Sequence, residues 1–109
     1  MEAIGETVMK RAMIIQPMAG RQRDQIKFAK AKATRALERD GYEVVNTLFG
    51  DDLGDKVSNS SVAYLAESIR CMADVQLVYV CSGWKQARGC RIEHQIAKDY
   101  GIEVRYEGR

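Results

Sequence analysis

The sequence predicts an α/β fold: a four-stranded parallel sheet ordered 2-1-3-4, with helices on both faces. Three observations carry that expectation. Apolar runs at residues 12–15 and 75–81 (VQLVYVC) are short and continuous, the pattern of strands buried on both sides. Segments with apolar residues every three or four positions alternate with the strands, and Gly41 and Gly101 stand just past the ends of two of them. The order β-α-β-α-β-α-β gives crossovers long enough to join parallel strands, and right-handed crossovers place the first helix on one face and the other two opposite.

The first strand, residues 12–15, stops at Gln16 and Pro17. A helix runs from about residue 24, where Asp24 is a good N-cap type, to residue 40, with Ile26, Ala29, Ala33, Ala36 and Leu37 inward. Its alanines let it lie close to a sheet. Residues 42–48 alternate weakly and read as the second strand. Residues 49–60 hold two glycines and three aspartates without periodicity, a long loop of the kind that is often functional. Val62, Leu65, Ala66, Ile69, Met72 and Ala73 recur at spacings of three and four and mark the second helix. After the third strand, residues 75–81, a turn at Ser82, Gly83, Trp84 and Lys85 opens a third helix over residues 87–100. In the last strand, residues 102–106, Ile102, Val104 and Tyr106 alternate with charged neighbours, so one face is expected to be wet or at a sheet edge. Residues 1–8 read as a flexible tail, and residues 9–109 as one domain. The most apolar strands, one and three, belong in the centre. The face carrying the first helix is then bare over strands three and four, and a homo-oligomer is expected to cover it.

A chain of 109 residues is limited to one core. Its 46% hydrophobic and 29% charged residues and single proline exclude collagen-like, disordered and low-complexity classes. No apolar run approaches the ~20 residues of a membrane span, and no basic-then-apolar signal opens the chain, so a cytoplasmic protein with no membrane partner is expected. Cys71, Cys81 and Cys90 lack C-x-x-C spacing and read as reduced thiols, two of them inside apolar patterns. With His94 the single histidine, no metal and no cofactor are expected. A net charge of +2 is too small to argue for nucleic acid. The basic excess of residues 1–40, nine Lys or Arg against five Asp or Glu, reads as a solvated helix face.

In an open parallel sheet a ligand sits beyond the carboxyl ends of the strands where strand order reverses, between strands one and three. Two loops meet there: Gln16, Pro17, Met18, Ala19, Gly20, Arg21 and Arg23, and Ser82, Gly83, Trp84, Arg88 and Gly89. Helix N-termini and basic side chains make this an anion site, suited to a phosphate. Trp84 either stacks on a nucleobase or caps the core. Asp51 and Asp52 follow strand two at the same end and are candidates for a carboxylate there, whereas Asp74 precedes strand three and belongs at the opposite end. No G-x-G-x-x-G or Walker pattern supports a dinucleotide or ATP. The inward stripe of the third helix is Gly89, Ile92, Glu93, Ile96, Ala97 and Tyr100, which sets a carboxylate among apolar groups. Glu93, near a helix start and facing the crevice, is a candidate nucleophile, stabilised as an anion by the helix end; a salt-bridged or strand-capping glutamate is the alternative.

The segments IIQPMAGR, EVVNTLF and GWKQARGCRIEHQIAKDYGIEV together resemble a phage and bacterial family of unassigned activity, related to the nucleoside 2-deoxyribosyltransferases and nucleotide N-glycosidases. The resemblance covers most of the chain from Lys10 onward. It implies a flavodoxin-like three-layer sandwich, an oligomer, and a catalytic glutamate at the position of Glu93. It also implies that residues 17–23 lie against a nucleotide. Those enzymes carry an aspartate on the inward face of the helix before strand three, where this chain has Ala66, with Glu67 off the stripe. Their polar group near the end of strand one has no counterpart at Ile15 or Gln16. Two functions are therefore expected as rivals. One cleaves or transfers the N-glycosidic bond of a 2′-deoxynucleoside or its 5′-monophosphate, with Glu93 as nucleophile. The other is a silent nucleotide-binding or sequestering protein in which Glu93 hydrogen-bonds a ribose hydroxyl.

Overall fold

The computed structural model describes residues 10–45 and 57–108. In chain order these form β1 (Lys10–Ile15), α1 (Arg23–Arg39), β2 (Tyr42–Val45), α2 (Ser60–Met72), β3 (Leu77–Val80), a 3-10 turn (Trp84–Gln86), α3 (Arg88–Asp99) and β4 (Glu103–Tyr106). The strands make one sheet of order β2-β1-β3-β4, parallel at each pairing. This is the α/β parallel sheet of order 2-1-3-4 that the apolar runs and element order predicted, in the flavodoxin-like three-layer arrangement that the resemblance implied. The expected tail, the end of the second strand, and Asp51 and Asp52 in the long loop lie outside the described residues.

The central pair is β1 with β3, in the register Ala12↔Leu77 to Ile15↔Val80. Alternate side chains go to opposite faces. Ala12, Ile14, Leu77 and Tyr79 pack with Ala33 and Leu37 of α1, while Met13, Ile15, Val78 and Val80 pack with Met72 of α2 and with Cys90 and Ala97 of α3. Both faces are therefore dry, which is why these strands read as continuous apolar runs.

Caps explain the helix ends. The N-cap of α1 lies two residues earlier than expected: it is Gln22 and not Asp24, and its backbone N–H donates to the Gln25 side chain at 3.0 Å. Asp24 sits instead in the first turn, where its charge suits the helix dipole. At the end of α3, Gly101 takes φ +74°. That left-handed turn lets Ile102 N–H reach Ala97 O at 2.9 Å and closes the helix, a geometry disfavoured for residues with a Cβ.

Two helical stripes differ from expectation. On α2, Met72 is buried and Leu65 and Ile69 are half-buried, but Ala66 and Ala73 are exposed and Val62 is 58% exposed. Only the C-terminal end of α2 docks on the sheet, and its first turns border open space. On α3 the buried face is Cys90, Glu93 and Ala97, and Tyr100 points outward at 81% exposure.

The face over β3 and β4 also differs. Leu77, Tyr79 and Cys81 are already buried in the α1-side core, and β4 presents Glu103 and Arg105 there. Arg105 pairs with Asp40 at 2.6 Å and lies over the Tyr42 ring, and Lys32 reaches Glu107 at 3.8 Å. The apolar area that motivated a covering subunit is thus absent among the described residues of this face.

Leu37 is fully buried and Phe28, on the same helix, is 68% exposed. Leu37→Ala should lower unfolding free energy by about 2–5 kcal/mol in urea melts. Phe28→Ala should change it by no more than about 0.5 kcal/mol.

Candidate functional site

The β1–β3 register ends both strands at the same edge, so their two loops open side by side. In the first loop, Gln16 Nε2 donates to Ile26 O at 2.7 Å and ties the chain to α1, while Arg21 N–H donates to Met18 O at 3.0 Å. The second loop touches the first at Gly83, beside Arg21 and Pro17, and is otherwise held by its own contacts. Ser82 N–H donates to the Glu107 carboxylate at 2.8 Å, and Arg91 donates to Lys85 O at 2.8 Å. Trp84 stacks on His94 with ring centroids 4.1 Å apart, and His94 Nε2 is hydrogen-bonded to Tyr106 Oη at 2.6 Å. This anchoring leaves the start of α3 facing the first loop.

Between them lies a cleft of about 840 Å³. That volume is in the range of small-molecule sites. The β1 loop contributes Gln16, Met18 and Ala19, and α2 contributes Asn59, Val62, Tyr64, Leu65 and Ser68. From α3 come Arg88, Gly89, Cys90, Ile92 and Glu93. The N-termini of α2 and α3 both border this cleft, and neither helix has an acidic residue in its first turn. Asn59 caps α2 by accepting from Val62 N–H at 3.1 Å.

Of the residues singled out in the sequence, Gln16, Met18, Ala19, Arg88, Gly89 and Glu93 come together on this cleft. Ser82, Gly83 and Trp84 do not line it. They line a separate hollow of about 290 Å³ beside Tyr106 and Glu107. With its ring on His94, Trp84 is packed against the core as a loop anchor. Pro17 is buried, and Gly20, Arg21 and Arg23 are exposed outside the cleft lining. The Arg21 guanidinium lies over Gly83, close enough that a Cβ at this position would collide with it. Gly83 also has φ +88°, so two independent reasons favour glycine there.

The sequence reading missed Asn59, Tyr64, Ser68 and Cys90. Signals existed for two of them: Asn59 precedes an apolar-periodic run as an N-cap should, and Ser68 lies three residues after Leu65, on the same helical face. The inward aspartate sought at Ala66 has no place at that position, which is exposed. Ser68, two residues on, lines the cleft together with Glu93 instead.

Glu93 is 9% exposed. Burial pushes its carboxyl up to about 7 from an ordinary 4.5, and the hydrogen bond from Ser68 opposes that rise. Stabilisation by the helix end does not prevail, because Glu93 is in the second turn of α3, beyond the reach of the dipole. Burial, reinforced by the charge of Glu93, pushes the Cys90 thiol up to about 12, and burial with Glu107 pushes Cys81 up to about 11. Both thiols are therefore neutral near pH 7 and poor nucleophiles. Burial and the nearby Lys98 and Lys85 push His94 down. Among the described residues no three His, Cys, Asp or Glu side chains gather to hold a metal ion, and no helix is long and apolar enough to cross a membrane.

Because folding raises the Glu93 pKa from 4.5 to about 7, the native state holds this proton more tightly than the unfolded chain between those values. The stability contributed is full below about pH 4.5 and is lost as pH rises to about 7, a loss on the order of 3 kcal/mol. Glu93→Gln should remove that dependence and melt at a higher temperature than the parent at pH 8. Parallel melting curves across pH 4–8 would contradict the burial argument.

No curated protein and no solved structure matches the chain. A family model described as Domain of unknown function (DUF4406) matches residues 3–106, a span that takes in the four strands, the three helices and the cleft. The chain belongs to the DUF4406 family.

Proposed function

We propose that the chain is a nucleoside 2-deoxyribosyltransferase-like protein whose cleft takes a 2′-deoxynucleoside or its 5′-monophosphate. The observation that carries this reading is a buried carboxyl, Glu93, opening onto a cleft of about 840 Å³ beside two helix N-termini. Arg88 and the first turn of α3 would take a phosphate, and the apolar side chains Met18, Val62 and Ile92 at the mouth suit a base. Ionised Glu93 attacks C1′ as the bond to the base breaks, through an oxocarbenium-like transition state. The base leaves with the bonding pair and takes up a proton. Water or a second base then resolves the glycosyl ester.

A second reading, a nucleotide-sequestering protein, is favoured by one observation. Glu93 is the only carboxyl among the described residues lining the cleft, whereas glycosidic chemistry ordinarily uses two. In that case Glu93 hydrogen-bonds a ribose hydroxyl. A cytoplasmic setting is part of the proposal, supported by three free thiols, two of them buried. Self-association is the remaining part. Its nearest apolar surface is the cleft mouth rather than the face over β4, and solution mass at micromolar concentration tests it.

Chromatography of deoxynucleoside monophosphates incubated with the protein should reveal free base, with an acid limb near pH 7 because only ionised Glu93 attacks. Release should vanish in Glu93→Ala while nucleotide binding persists. No base from any common nucleotide, with affinity lowered in Glu93→Ala, would establish the binder instead. Arg88→Ala should weaken monophosphate binding by ~1–3 kcal/mol in calorimetry.

A Cβ at Gly89 would meet nothing within 4 Å, so a side chain there enters the cleft without displacing protein. Gly89→Leu should abolish nucleotide binding while keeping or raising the melting temperature, since leucine is the better helix former. Unchanged binding would place the nucleotide elsewhere.

A further inference from the structure

We propose that Gln16 is the specificity-determining residue of the cleft: its side-chain Oε1 is a fixed acceptor that requires an N–H donor on the base of the bound nucleotide. The inference rests on the reading of the cleft as a nucleotide site and names what that site selects. Gln16 follows Ile15, the last residue of β1, and shares the strand parity of Ala12 and Ile14, which pack toward α1. Its side chain accordingly reaches α1, where Nε2 donates to Ile26 O at 2.7 Å. Only the amide nitrogen can make that bond, because two carbonyl oxygens at this distance repel each other. The bond therefore settles which way round the amide stands. Pro17, buried beside it, has a fixed φ and stiffens the same corner of the backbone. Left over are Oε1 and one N–H, and Oε1 accepts from no described residue.

The other polar groups of the lining do not duplicate this one. β1 and its loop contribute Ile14, Gln16, Met18 and Ala19, so among the described residues Gln16 is the polar side chain of that wall. Asn59 is fixed in the opposite sense: its Oδ1 accepts from Val62 N–H, which leaves its amide N–H groups for the cleft. Arg88 has only donors, and the hydroxyls on α2 turn to suit either kind of partner. In both readings of the cleft Glu93 is engaged at the sugar. Gln16 is half-buried, and a base that fills the cleft takes the place of water at Oε1. Opposite this oxygen the base must present an N–H, whether an exocyclic amine or a ring N–H. A carbonyl, a ring lone pair or a methyl there leaves the acceptor unmet.

The test is calorimetry on the full chain with two pairs of nucleotides, each pair differing in its donors. One is 2′-deoxyadenosine 5′-monophosphate against its analogue without the 6-amino group, which reports an exocyclic amine. The other is thymidine 5′-monophosphate against its difluorotoluene isostere, which reports a ring N–H. In the parent, at least one pair should favour the donor-bearing member by about 10–100-fold. Gln16→Met, similar in length and without the acceptor, should cut that ratio by about fivefold or more. A merely structural glutamine would weaken both members alike, so an unchanged ratio in Gln16→Met overturns the proposal. So does a parent that binds the two members of each pair equally. Should Gln16→Met not fold by circular dichroism, nitrogen-15 NMR of the parent decides, with the Gln16 side-chain amide assigned by its loss in Gln16→Glu. That resonance should move with the donor-bearing nucleotide and stay in place with its analogue, and equal movement with both overturns the proposal. If no base is released while the ratios behave as stated, the glycosyl reading fails and selection by Gln16 stands. If neither nucleotide binds the parent, the nucleotide reading falls and the proposal falls with it.

Discussion

Parallel pairing of β1 with β3, buried on both faces, is the constraint on which the rest of this structure depends. Ile15 lies beside Val80. The chain must therefore leave both strands at one edge and turn into α1 and α3 from there. Each crossover is committed to a face by its hand, so α2 and α3 fall on the same side, next to each other. Their N-termini border the cleft for that reason, and not because of any motif within either helix.

Glu93 shows two electrostatic effects meeting at one carboxyl. A helix N-terminus favours an anion, but the effect fades after the first turn, whereas desolvation acts wherever water is excluded. Glu93 is one turn too deep for the first and fully subject to the second, which leaves it half-ionised near neutral pH. A buried acid of this kind weakens the fold above pH 7. Such a cost is characteristic of groups kept for chemistry or binding rather than for packing.

The second loop illustrates how an aromatic residue is diverted from ligand recognition to architecture. Trp84 has His94 against one face and Tyr106 tilted beside it, and Lys85 lies 5.7 Å from its ring centroid. These contacts fix the loop beside its own helix, whose first turn borders the cleft. Arg21 closes over Gly83 between the two loops. The basic groups of the loops are thereby divided: Arg88 lines the cleft and Arg21 lies against Gly83, outside its lining.

Local pattern was enough for the sheet. Residues 12–15 and 75–81 announce buried strands because a strand dry on both faces must be apolar at every position; that places them in the centre of the sheet, and crossover hand then assigns the helices to its faces. The place of Glu93 on an inward helical face was legible for a similar reason, since 3.6-residue periodicity is a property of the chain alone. Only the tertiary structure decided which neighbours meet. Ala66 and Ser68 lie two positions apart, roughly 200° around a helix, and a stripe more than 100° wide could have been centred to include either. The docking angle of α2 resolved the choice, lifting its N-terminal half off the sheet and turning Ser68 toward Glu93. The partner of Trp84 was equally hidden, because a stack with His94 ten residues later depends on how a loop folds back on its helix, and no periodicity encodes that return.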